Sequence, residues 1–150
     1  MMRKSQRLQV IVDLNENNEK KALEVLGKAQ IKKQSLQTQL ESLIVYRQEY
    51  KDKYQSITKI GVNISQLLEF RAFISKLDKA IEEQEQEISD IEKTVIHVRA
   101  AWERQHQKTK SLQKVYGAAR KEEIKQENKK EQNEQDDRST RIGKGGMRNA

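Results

Sequence analysis

The side chains best suited to chemistry in this 150-residue chain are two histidines, His97 and His106, among many carboxylates. Neither histidine stands in a ligand set at helical spacing, and both are expected on the solvent side of a helix. With no cysteine there is no thiolate nucleophile, thiolate metal site or disulfide. No nucleophile–base–orienter set and no Gly-rich phosphate loop occurs, so no enzymatic activity and no cofactor is expected. The chemistry that remains is recognition by apolar and aromatic surface. Leu43, Tyr46, Tyr50, Phe73, Leu77 and Ala80 are the residues that suggest it, because Tyr46, Phe73 and Ala80 fall beside a hydrophobic seam rather than in it.

Two heptad seams position those side chains. One runs Leu8, Val12, Asn15, Glu19, Ala22, Leu26, Ala29, Lys33, Leu36, Leu40, Leu43, Arg47, Tyr50, Tyr54, Ile57. The other runs Leu67, Phe70, Ile74, Leu77, Ile81, Gln84, Ile88, Ile91, Val95, Val98, Trp102, Gln105, Thr109, Leu112, Tyr116. Both alternate steps of three and four, the signature of helices supercoiled on a partner. If the chain folds back at Gly61 and Val62, seam positions meet wherever their numbers add to about 124, the register implied by the seam spacing. Ala22 then faces Trp102, Asn15 faces Thr109, Glu19 faces Gln105 and Leu8 faces Tyr116. The fold class expected is all-α: a long antiparallel two-helix coiled-coil hairpin over residues 1–120, its turn near 58–65. Each arm of roughly 50 residues would extend on the order of 75 Å at the helical rise.

Composition fits that reading. The chain has no proline, and its 35% charged residues with a mean hydropathy of −1.01 suit an exposed helix pair better than a globule. Gly61 reads as a helix C-cap, with Asn63 or Ser65 starting the second helix and Gln66 placed as a capping-box partner. Gly117 is expected to loosen the second arm. Residues 121–150 read as a frayed helix passing, from Asp136, into a disordered polar tail. The longest apolar runs are far too short to span a membrane, and no signal-peptide h-region is seen, so a cytosolic protein is expected.

Charge is unevenly distributed. Asp78 to Glu92 carries seven acids against Lys79, whereas Lys93 to Lys121 carries eight basic residues against Glu103. Arg3, Lys4 and Arg7 would join Lys108, Lys110, Lys114, Arg120 and Lys121 at the open end of the hairpin. Like charges gathered there call for a negative partner. Nucleic acid is not expected to be that partner, because the aromatic residues mostly occupy seam positions instead of forming a stacking platform.

The segments Gln39–Tyr50 and Phe73–Glu82, supported by Ala101-Trp102-Glu103, resemble the flagellar export protein FliJ family. The resemblance implies a non-enzymatic component of the flagellar type III export apparatus, similar in fold to the γ stalk of rotary ATPases. Its implied partners are the hexameric export ATPase FliI, the export-gate protein FlhA and export chaperones. It would lie peripherally at the inner face of the cytoplasmic membrane. The family's gate-binding surface corresponds to Gln39, Leu43, Tyr46, Tyr50, Phe73, Leu77, Ala80 and Gln84, on the same edge that the heptads single out. The stalk resemblance makes the ATPase ring the partner of the basic open end. An injectisome stalk counterpart and a basic coiled-coil scaffold or nucleic-acid-binding protein are the alternatives.

Overall fold

A computed structural model describes residues 3–148, with side chains described for 3–143. It contains two helices, α1 (Lys4–Ile60) and α2 (Ile64–Arg148). Among the described residues there is no strand. No described helix is long and apolar enough to cross a membrane.

The turn is made by three residues whose types explain it. Gly61 takes a φ of 81°, a left-handed conformation that ends α1 without a Cβ clash. Asn63 then caps α2: the Ser65 amide donates to its Oδ1 at 3.2 Å, and the Gln66 amide donates to its carbonyl at 3.1 Å. Of the two candidate caps, Asn63 is therefore the one used.

The chain forms two compact units: residues 20–103, which contain the turn, and a terminal unit made of 3–19 with 104–148. In the first unit, α1 and α2 pack antiparallel along the predicted seam. Leu26, Ala29, Leu36, Ile88, Ile91 and Val95 form its buried core, with Leu40, Val98 and Trp102 packed against it. All are seam residues, and each large one contributes roughly 1.5–3 kcal/mol by burial. Trp102 is thus the core filler its spacing implied. Arg47 and Lys33 occupy seam positions yet are only half-buried. Arg47 carries its guanidinium past the seam to donate to Asp78 Oδ1 at 3.0 Å, leaving its methylenes inside.

The terminal unit is paired mainly through polar groups. Asn15 lies opposite Thr109, as the register requires, and the two are 4% and 1% exposed. The Thr109 hydroxyl is 3.2 Å from the Asn15 carbonyl, and Gln105 Nε2 donates to Asn15 Oδ1 at 2.9 Å. The Asn15 amide in turn donates to the Ile11 carbonyl at 2.8 Å. Gln105 therefore donates one turn along the seam, to Asn15. Glu19 pairs with His106, which is half-buried and does not ride on the solvent side as expected. The imidazole leaves from beside the seam and reaches across to the seam carboxylate, a distance that heptad spacing does not encode.

The second arm also departs from expectation beyond the sequence-derived boundary at residue 120. Ser5 donates its amide and hydroxyl to the Glu123 carboxylate, and Arg3 pairs with Glu127, so α1 still touches α2 past that boundary. α2 passes unbroken through Gly117 and continues as helix to Arg148 where a frayed and then disordered tail was expected. Lys, Glu, Gln and Arg have high intrinsic helix propensity and no proline interrupts them, which outweighs the scattered like-charge pairs. Asn149 and Ala150, the last of the expected disordered tail, lie outside the described residues.

The polar layer gives a double-mutant prediction. Gln105→Leu leaves the buried Asn15 carboxamide without its donor and is expected to cost about 1–3 kcal/mol in urea unfolding. Asn15→Leu combined with Gln105→Leu is expected to recover most of that loss, because two apolar partners leave nothing unsatisfied. A double variant as unstable as the sum of its singles would show that the layer contributes net binding energy.

Candidate docking edge

All eight residues of the proposed gate-binding set lie in the unit formed by residues 20–103. The seam supplies Leu43, Tyr50, Leu77 and Gln84; the positions beside it supply Gln39, Tyr46, Phe73 and Ala80. Burial grades accordingly: Leu77 is buried, Leu43, Tyr50, Phe73, Ala80 and Gln84 are half-buried, and Gln39 and Tyr46 are exposed.

The aromatics form one connected cluster. Ring centroids are 4.4 Å apart for Tyr50–Phe73, 5.0 Å for Tyr46–Tyr50, 5.9 Å for Tyr50–Phe70 and 6.0 Å for Tyr46–Phe73. These tilted and edge-on arrangements each add roughly 0.5–1.5 kcal/mol and hold the rings in place before any partner arrives. Lys53 Nζ sits 5.4 Å from the Tyr50 ring centre. The hydrogen bond with Tyr50 pushes the Tyr46 phenol above its ordinary value. Farther along the edge, Gln84 Nε2 donates to the Leu36 carbonyl and to Gln39 Oε1, each at 3.1 Å. Gln39 and Gln84 are therefore joined across the two helices and close one end of the apolar patch.

Two shallow grooves open beside this cluster. One, of about 530 Å³, is lined by Thr38, Gln39, Ser42, Leu43, Tyr46 and Gln84. The other, of about 390 Å³, is lined by Thr38, Glu41, Ser42, Val45, Tyr46 and Glu49 on the outer side of α1. Sequence reasoning missed Thr38, Ser42, Val45 and the two glutamates. The available signal was the stretch from Gln34 to Tyr46, where Glu41 is the only charged residue although the chain is 35% charged.

The basic set of Arg3, Lys4, Arg7, Lys108, Lys110, Lys114, Arg120 and Lys121 belongs to the terminal unit, and all eight residues are exposed. They do not form one patch. By heptad position Lys110, Lys114 and Lys121 follow the outer side of α2, while Arg120 and Lys108 fall on its opposite edges. Carboxylates also sit among them: Arg3 pairs with Glu127, and Arg120 Nη1 lies 3.7 Å from Glu123. The repulsion expected from the sequence is therefore partly relieved by acids that lie just beyond Lys121. The Ser5 hydroxyl and amide, with help from Arg3 and Arg120, hold the Glu123 carboxyl below its ordinary value. Among the described residues no group of histidines and carboxylates is placed to hold a metal ion.

A family model described as "Flagellar FliJ protein" matches residues 4–147. The Flagellar FliJ protein of Escherichia coli (strain K12) is 26% identical over 106 residues, covering 71% of this chain and 72% of that protein. No solved structure matches the chain at a significant level.

The geometry yields two predictions. Leu77→Ala, in a site 7% exposed, is expected to cost about 2–5 kcal/mol in urea unfolding. Phe73→Ala, half-buried, is expected to cost markedly less, about 1–2 kcal/mol including lost ring contacts. Equal losses would make the edge a structural element. The Glu123 contact carries a pH signature. A carboxyl whose folded pKa is depressed stabilises the fold at neutral pH, and that contribution is lost as pH falls through the folded value. The melting-temperature gap between wild type and Glu123→Gln is expected to be present at neutral pH and to close in strong acid. A gap unchanged by acid would exclude an ionised Glu123 as its source.

Proposed function

Because the chain belongs to the flagellar FliJ family, non-enzymatic components of flagellar protein export, we propose that it links the hexameric export ATPase FliI to the export gate FlhA. On this reading it works peripherally at the inner face of the cytoplasmic membrane and escorts export chaperones. Hydrolysis belongs to the ATPase, and this chain supplies binding energy at two separate places. The observation that carries the gate contact is the Tyr46–Tyr50–Phe70–Phe73 cluster. It presents Tyr46 at 43% exposure on a helix pair whose core is already filled. Rigid, partly exposed aromatics at a polar margin are the usual energetic centres of protein interfaces. Docking there shifts the gate between states only to the extent that the two states differ in affinity.

The basic residues of the terminal unit supply the ATPase contact, which is electrostatic and so weakens with salt. The test uses the purified ATPase and the gate's cytoplasmic domain as separate partners. Tyr46→Ala with Phe73→Ala is expected to lower gate affinity at least tenfold while far-UV helicity and ATPase binding stay near wild type. Lys108→Glu with Lys110→Glu and Lys114→Glu is expected to do the reverse. Gate binding that survives loss of both aromatics overturns the gate assignment, and ATPase affinity unchanged by the triple reversal overturns the other.

A further inference from the structure

Thr38, Ser42 and Tyr46 follow one another at four-residue spacing along α1, and an open groove lies on each side of that row. Only the groove toward α2 belongs to the edge discussed above. The outer groove adds Glu41, Val45 and Glu49, with Val45 57% exposed. No Lys or Arg lines either groove. In a chain with net charge +7, these grooves have apolar walls at Leu43, Val45 and Tyr46, the hydroxyls of Thr38 and Ser42 on the row between them, and two carboxylates on the outer margin.

We propose that both grooves are filled by one basic amphipathic helix of the export gate, laid across α1 over Ser42. The inference rests on the gate reading of the edge and adds to it the outer groove and the form of the partner. Helix packing sets ridges of one helix into the channels beside a four-residue row of the other, which is the relief found here. A strand has nothing to pair with, because every backbone group in this part of α1 is already bonded within the helix. The partner's apolar side chains at i, i+3, i+4 and i+7 would enter the two grooves on either side of Ser42, with Tyr46 and Val45 as walls. Its Lys or Arg residues would meet Glu41 and Glu49, which selects against acidic helices during encounter.

The test compares full-length chains against the gate's cytoplasmic domain and against a stapled helical peptide of about 18 residues with a leucine face flanked by lysines. Ser42→Arg blocks the crossing point, and Glu41→Lys with Glu49→Lys reverses the margin. All three positions are exposed, so melting temperature is expected to stay within a few degrees of wild type. Each variant is expected to weaken gate and peptide binding at least tenfold, and the lysine peptide is expected to compete with the gate domain. A glutamate-flanked peptide is expected not to bind, and equal binding of the two peptides would overturn the basic helix. If Tyr46→Ala with Phe73→Ala abolishes gate binding while Ser42→Arg and the margin reversal leave it intact, this inference falls and the gate reading stands. If none of these variants affects gate binding, both fall.

Discussion

Everything in this molecule depends on two seams of opposite direction closing on each other within one chain. The steps of three and four keep each seam turned toward its mate, and a left-handed glycine at the end of α1 lets the chain reverse. Within each unit, turning either helix by one residue would carry its seam side chains outward. That is why the described seam residues are buried or half-buried without exception, from Leu8 to Ile57 and from Leu67 to Tyr116. Secondary structure here is a consequence of pairing: helices so rich in charge gain most of their stability from the apolar stripe they cover.

The two units use that constraint differently. Residues 20–103 are held by aliphatic layers, whose burial energy is large but indifferent to small changes of partner. The terminal unit holds Asn15, Thr109 and Gln105 in one bonded set and Glu19 with His106 in a separate pair, with Ser5 on Glu123 beyond them. Such layers stabilise less than leucines and discriminate more, since a shifted register would leave several buried donors and acceptors unmatched. A polar layer is thus a natural device for keeping a long repetitive pair in one alignment, and a reason for unequal local stability along the chain.

How legible each feature was depended on the length of the side chain involved. The seam, the Asn15–Thr109 layer and the placement of Trp102 followed from spacing, because period sets which face a residue occupies, and the turn followed from the residue types Gly61 and Asn63. The His106–Glu19, Arg47–Asp78 and Arg3–Glu127 pairs did not. Each joins a flanking or outer position to a residue up to two turns from the one it faces, and long rotamers decide that reach. The continuation of α2 to Arg148 was missed for a different reason. Like-charge pairs worth a few tenths of a kcal/mol weigh less than the uninterrupted helix propensity around them. The aromatic edge was half legible: heptad edges placed Tyr46 and Phe73 beside the seam, but Val45, Glu41 and Glu49 lie on outer positions that seam spacing does not mark.

Stability and recognition compete for the same residues in a two-helix structure, because there is no third layer to bury anything twice. A side chain that fills the seam, such as Leu77 at 7% exposure, has little surface left for a partner. A fully exposed one is hydrated and free to rotate, so immobilising it on binding costs about 0.5–1.5 kcal/mol. Tyr46 and Phe73 occupy the ground between. Their rings are fixed by each other and by Tyr50, so the entropic cost is met during folding, while much of the Tyr46 face still contacts water. The charge-poor stretch from Gln34 to Tyr46 extends the same logic to the outer side of α1. Exposed Ile44 and Val45 contribute little to folding where they stand and reduce solubility. Their cost is offset only if a partner covers them, which is why this part of the helix pair, and not its best-packed core, carries the proposed recognition.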